Sequence, residues 1–556
     1  MRTFSLREDR LKSMGEAFKK VPAAKVAGGV ALFSTLLIIY LHIVFGMHAG
    51  ALWRDEASTL EVATMGTFTE MWSNLCFESF PALFFVVLRV VAGVPASASD
   101  SLLRVFGVSI GLLTLGVIWM NSRWLRLGFP LLSLALIGLN PMIIRYGDSL
   151  RAYGLGIALM LLVLGAMWRL VESFTPGRAA IAALCAVLSV QCLYYNSILL
   201  FAICLGTASV TMCRRQVKET LVVFAIGGIS AATLLPYVPT IRRVHAWNFI
   251  WKAPFTPGEL WRTFGSRLEI AAWIVLFVLV LIAGIWALGR KAADANGQAK
   301  TERILFGLVT LVIGTVGYAG FISVLGYLTQ PWYFITFAAF AATCVEIVLA
   351  SLLTRKWSLL TRAAFAFAIV SIGVYPAWQA LHFRQTNVDV VAAQLQVQAA
   401  PNDLILINSW NYGISFRRYY HGPAIFETIP PIEDLRTHRA DILKRQMMSP
   451  APMAPVLERM ENTLRSGHTI WLIGSLDFVP PGKETKAIPP GYDGPNGWVG
   501  GNFYAVWAEQ AGFLIQSQAL HLERVRVPLA QPVSRYENLP LSAIRGWRGA
   551  VDTPKQ

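Results

Sequence analysis

Residues Val26 to Met47 read VAGGVALFSTLLIIYLHIVFGM, a run without a single Asp, Glu, Lys or Arg. A helix rises ~1.5 Å per residue, and ~20 apolar residues cross the ~30 Å hydrocarbon core of a bilayer. The run follows a tail with Arg2, Arg7, Arg10, Lys12, Lys19, Lys20 and Lys25. Ala49-Gly50-Ala51 behind it resembles a signal-peptidase site, but a signal core has only ~7–15 apolar residues. The run is therefore read as an uncleaved first helix, with residues 1–25 as a basic cytoplasmic tail.

The same pattern recurs at 102–121, 128–144, 153–170, 179–195, 197–213, 219–238, 270–289, 303–325, 333–353 and 362–381. About eleven transmembrane helices are thus expected in a polytopic α-helical membrane domain, 26–381. Only 14% of the chain is charged, where a soluble protein carries about a quarter. After Leu381 the composition becomes ordinary. Two apolar runs there, Asp403 to Asn408 and His468 to Gly474, read as strands, with helices at 412–420 and 453–465 between them. A small α/β domain is expected over 382–556, with an irregular Pro- and Gly-rich loop from Pro480 to Asn502.

Charge placement gives the orientation. Leu83 to Val94 is too short to span and carries Arg89. If it lies in the interface, the clusters at Arg123/Arg126, Arg169/Arg178, Arg214/Arg215/Lys218, Arg290/Lys291 and Arg355/Lys356/Arg362 all fall inside. If it spanned, all would fall outside, against the positive-inside rule. The first loop (48–101), a second around Arg145 to Arg151, a third around 239–269, a turn at 326–332 and the C-terminal domain are then extracytoplasmic, in a multi-pass inner membrane protein. The net charge of +16 sits in these connections, which argues against nucleic acid as a partner. The cysteines at 76, 185, 192, 204, 213 and 344 show no metal spacing. His421, His438, His468 and His521 have none either and read as ordinary surface or core residues.

Two clusters on the outer side carry chemistry. Asp55-Glu56 sits just past the first helix, where a carboxylate is ionised but partly desolvated, as suits a general base or a cation ligand; an ordinary solvated loop start is equally consistent. Asn140-Pro141 to Arg151-Ala-Tyr153 packs Arg145, Asp148 and Arg151 between two apolar segments. Paired arginines suit a lipid phosphate. The competing reading is a local ion-pair set, with Asp148 satisfied by Arg145 and Arg151 on neighbouring turns.

Together these clusters resemble the multispanning glycosyltransferases of the C superfamily, in particular the protein O-mannosyltransferases and the aminoarabinose-to-lipid-A transferases. The acidic pair follows the first helix as the family's motif does. Ser79-Phe80-Pro81-Ala82-Leu83, with Leu103-Arg104 and Gly111-Leu-Leu-Thr-Leu, resembles its His-Pro-Pro-Leu segment and arginine-led second helix. Asn140 to Tyr153 resembles its second-loop motif, and Gln330-Pro331-Trp332-Tyr333-Phe334 is a weaker match. Phe80, Ser149 and Trp332 stand where relatives often have histidine, glutamate and arginine. The resemblance covers about residues 26–350.

It implies inverting transfer of a hexosyl-type sugar from a polyprenyl-phosphate donor to a hydroxyl of a lipid, glycan or protein acceptor. Asp55 and Glu56 would be catalytic, with Asp55 the general base. Arg151, Arg145 and Arg104 would bind the donor phosphate, and Asp148, Tyr153 and Tyr333 would line the substrate pocket. No cofactor is firmly implied; a divalent cation, Mg or Mn, would fall to Asp55 and Asp148. Two other functions fit a many-helix chain with interfacial arginines: a flippase for a lipid-linked saccharide, and a non-catalytic envelope assembly protein. Charges clustered at one face, with no internal repeat, favour the transferase.

Overall fold

The computed structural model describes residues 22–94, 98–247, 267–289, 295–326, 329–352, 355–480, 483–489 and 498–549. The tail up to Lys20, Arg290/Lys291, residues 248–266 of the third loop and much of the Pro480–Asn502 loop lie outside them.

Among the described residues, eight helices are long and apolar enough to cross a membrane: Ala23–His48, Asp100–Trp124, Tyr153–Glu172, Asn196–Cys213, Val217–His245, Gly297–Leu325, Ile335–Leu352 and Lys356–Leu381. Their outward faces leave Leu32, Leu36, Phe201 and Phe367 each more than half exposed. Water would penalise such a girdle, whereas lipid solvates it. The chain is a multi-pass membrane protein.

The expected count of eleven differs from this in three places. The segment at 179–195 corresponds to a 17-residue apolar helix, Pro176–Cys192, and that at 270–289 to the 22-residue helix Arg267–Leu288, apolar from Trp273 to Leu288. The segment at 128–144 is broken into Leu131–Gly138 and Pro141–Gly147. The break is local chemistry: Asn140 caps the second piece by accepting from the backbone N–H groups of Met142 (2.9 Å) and Ile143 (3.3 Å), and Pro141 cannot continue the first. Leu83–Ala92 is a ten-residue helix. Arg89 anchors it to the first loop by donating to the carbonyls of Ala63, Met65 and Gly66.

The two ends of the bundle differ. At one end, Arg126 meets Glu172 (3.3 Å), Arg214 meets Glu302 (2.6 Å) and the Val171 carbonyl, and Arg362 meets Glu346 and the Leu127 carbonyl. At the other end lie Asp55, Arg151 and the C-terminal domain. That domain is a five-stranded sheet in the order β2-β1-β3-β5-β4: β1 (Leu404–Ile407), β2 (Ile425–Thr428) and β3 (Ile470–Ile473) run parallel, and β4 (Ala519–Val525) and β5 (Leu541–Trp547) are antiparallel. β1 and β3 are central and wholly buried, so each reads as an unbroken apolar run.

The domain docks on the first loop. Ala51 and Ala57 are buried in its two apolar clusters. Tyr419 accepts from the Leu52 N–H (2.7 Å) and donates to Asp100, which also pairs with Arg418 (2.7 Å). Arg54 donates its backbone N–H to Glu537 (2.9 Å) and its guanidinium to the Tyr536 carbonyl (2.8 Å). The carboxyl ends of β1 and β3 come together where Gly474 (φ +98°) meets the Asn408 carbonyl. A Cβ there would stand 1.7 Å from that oxygen, so only glycine fits. Ser409, Trp410 and Asn411 follow directly, facing the membrane domain's loop.

Candidate active site

The helix Arg54–Ala63 begins on the last turn of chain leaving the first span, and its first turn carries both acids. Consecutive helical residues project about 100° apart, so the two carboxylates go to different places. Asp55 enters a cavity of about 330 Å³ that it shares with Arg54, Glu78, Arg151, Tyr333 and His438. Glu56 turns into the protein and is fully buried. Both its oxygens are held by Arg104 (2.6 and 2.8 Å), and it also accepts from the N–H groups of Leu150 (3.0 Å) and Trp53 (3.3 Å).

Asp55 Oδ1 lies 3.6 Å from Arg54 Nε and 3.4 Å from His438 Nε2. Burial pushes its pKa up, but the adjacent His438 imidazole and the charges of Arg151 and Arg54 outweigh that and hold it well below the usual carboxylate range. Arg151 directs one nitrogen, Nη1, to Glu78 (2.6 Å), Thr59 (2.6 Å) and the Asp55 carbonyl (3.0 Å). Phe80 lies 4.5 Å beneath its guanidinium. Burial lowers the pKa of Arg151, yet Glu78 and Asp55 raise it further, so it stays cationic. Its Nε is buried and has no hydrogen-bond partner among the described residues.

Three of the residues singled out from the sequence therefore line one cavity: Asp55, Arg151 and Tyr333. Five do not. Glu56 and Arg104 neutralise each other, and Arg104 also donates to the carbonyls of Gly50 and Ala51. Arg145 donates to the carbonyls of Ala380 and Phe383. Tyr153 packs edge-on against Phe80. Asp148 is bound to His42 of the first span (2.7 Å) rather than to Arg145 or Arg151. Its oxygen fits there because Gly111 has no side chain, where a Cβ would come within 2.0 Å. Asp148 lines no part of this cavity, so the expected Asp55–Asp148 cation pair does not form. No group of three or more His, Cys, Asp or Glu suited to a metal occurs among the described residues.

Glu78 joins the site without having stood among the expected residues, although it is the one charge between Glu70 and Arg89 and directly precedes Ser79-Phe80-Pro81. His438, expected to be an ordinary surface or core histidine, instead stands against Asp55 in the cavity. Trp332 forms part of an aromatic wall, 4.8 Å from Tyr146 and 5.4 Å from Tyr536.

No family model matches the chain, and no curated protein matches it. Among solved structures it is similar to ArnT from Cupriavidus metallidurans bound to undecaprenyl phosphate: 14% identity and a TM-score of 0.47, covering 81% of this chain and 93% of that one. It is also similar to the oligosaccharyltransferase of Archaeoglobus fulgidus tethered to an acceptor peptide: 12% identity and a TM-score of 0.41, covering 81% of this chain and 69% of that one. Both are multispanning glycosyltransferases of the C superfamily. At such identities the chemistry has to be read from the residues of this chain.

Proposed function

We propose that the chain is an inverting membrane glycosyltransferase that moves one sugar from a polyprenyl-phosphate donor to a hydroxyl acceptor on the extracytoplasmic face of the inner membrane. One observation carries the proposal: an ionised carboxylate, Asp55, and a buried cation, Arg151, line the same cavity at one end of an apolar helix bundle.

In this reading the acceptor oxygen attacks the anomeric carbon from the face opposite the phosphate. The bond from that carbon to the phosphate oxygen breaks, and its electron pair leaves with the lipid phosphate. The phosphate gains one negative charge, which the Arg151 guanidinium meets from the cavity wall; charge stabilisation of this kind contributes several kcal/mol. The acceptor proton passes to Asp55. A carboxylate with a depressed pKa is a weak base, so the transfer comes late, once the acceptor oxygen is bonding to carbon and its proton has become acidic. Until then Asp55 orients the hydroxyl as an acceptor. Glu78 holds Arg151 in place before the donor arrives, and Tyr333 with Trp332 gives the sugar an apolar wall.

The test uses purified protein in nanodiscs with labelled polyprenyl-phosphate sugar. Release of free polyprenyl phosphate together with sugar on a hydroxyl product supports the proposal. Movement of intact lipid-linked sugar across liposomes, without cleavage, contradicts it.

A further inference from the structure

The feature of this cavity that the proposed chemistry leaves unused is its histidine. His438 belongs to the C-terminal domain and sits in the loop between β2 and the helix Ala440–Met448. Its Nε2 is the one group from that domain in the ion-pair contacts of Asp55. The loop around it is tightly held. Asp434 accepts from Arg436 Nε (3.1 Å), Arg436 Nη2 (3.1 Å) and Arg439 Nη1 (2.7 Å). Asp441 takes the rest of the Arg439 fork at 2.8 and 2.7 Å. Thr437 is buried.

The same arginines dock the loop on the membrane domain. Arg436 reaches Glu70 (3.4 Å), and Arg439 lies 5.0 Å over the ring of Phe77, next to Glu78. Trp410 meets the His438 ring edge to face, 6.2 Å between centroids and at 78°. Individually such partly exposed pairs contribute little to stability, ~0–1 kcal/mol each. Jointly they fix where one imidazole points.

We infer that His438 is a positioning residue that orients the Asp55 carboxylate, so that docking of the C-terminal domain completes the site. The inference rests on the proposed transferase reading. Arg54 and His438 both engage Oδ1 of Asp55, which leaves Oδ2 as the atom for the acceptor hydroxyl. Without His438 the carboxylate rotates about its terminal torsion, which is soft and roughly two-fold. A displacement of about 1 Å at a reacting group costs ~10²-fold in rate. The 3.4 Å separation is long for a hydrogen bond, as catalytic contacts often are before substrate binds.

The experiment compares wild type, His438→Ala, His438→Gln and Asp55→Asn, each full length in nanodiscs, with labelled polyprenyl-phosphate sugar at varied concentration. His438→Ala is expected to lower kcat ~10–100-fold, with donor KM within about twofold and an unchanged melting temperature. His438→Gln keeps a donor near the Nε2 position and is expected to recover most of kcat. A filler of the domain interface would move melting and KM instead, and would show no selective rescue by Gln. Full activity in His438→Ala, alongside an active wild type and an inactive Asp55→Asn, overturns the inference and leaves the transferase reading intact. An inactive wild type overturns both.

Discussion

Two adjacent acids, Asp55 and Glu56, should fail in opposite ways when altered. Glu56→Ala removes four hydrogen-bond acceptances at once, from Arg104 Nη1 and Nη2 and from the Leu150 and Trp53 N–H groups. Arg104, itself buried, keeps only the carbonyls of Gly50 and Ala51. Removing one partner of a buried ion pair typically costs about 3–5 kcal/mol. That is roughly a 10²- to 4 × 10³-fold shift in the folding equilibrium, at ~1.4 kcal/mol per factor of ten. Asp55→Asn is isosteric at a position 15% exposed, and its cationic neighbours keep other partners: Arg54 has Glu537 and Arg151 has Glu78. The cations that depress the Asp55 pKa mean that its charge stabilises the fold, so Asn costs stability here too, but it strands no cation and should cost less than Glu56→Ala. Thermal melting of detergent-solubilised protein, followed by size exclusion, measures both. Glu56→Ala should melt several degrees lower than wild type, with Asp55→Asn between the two. A Glu56→Ala protein as stable as wild type, yet unable to transfer sugar, would refute the structural role given to Glu56.

Two further outcomes follow from the same geometry. Arg151→Lys retains a charge but cannot hold Glu78, Thr59 and the Asp55 carbonyl while offering a second planar edge to phosphate. Turnover should fall on the order of 10²-fold with the protein still folded, read from polyprenyl-phosphate release. Asp434 stands below its ordinary value, at about 2: burial pushes it up, and the hydrogen bonds from Arg436 and Arg439 outweigh that. Its contribution is therefore complete above the ordinary carboxyl value of 3.8 and is lost as pH falls towards about 2. Asp434→Asn should melt lower than wild type at pH 6, and the gap should close across that acid window.

What could be read from the sequence divides along physical lines. Uncharged runs of spanning length announced the long helices, and the shortness of Leu83 to Val94 announced a helix that does not span. The break at Asn140-Pro141 is hidden from hydropathy, which runs on across it, although the site carries both a cap residue and a helix breaker. β1 and β3 were legible because burial on both faces makes them continuous apolar runs. β2 and β4 are edge strands with mixed polarity: Glu427 in one; His521, Glu523 and Arg524 in the other. Exposed edges favour such residues, and they erase the apolar signal. In the site, Asp55 and Arg151 stood out as charges beside apolar segments. The pairing of Glu56 with Arg104 and of Asp148 with His42 was invisible, since both depend on which helix faces meet. His438 had no local signal at all, because only docking of the C-terminal domain brings it to Asp55.

The most direct measurement is the single-turnover rate of Asp55→Asn with labelled polyprenyl-phosphate sugar already bound, in protein that remains folded and monodisperse at the assay temperature. Loss of the acceptor-orienting anion predicts a rate reduced by ~10²–10⁴-fold, with donor binding preserved. A rate close to wild type would contradict the assignment of Asp55, and with it the chemistry placed in this cavity.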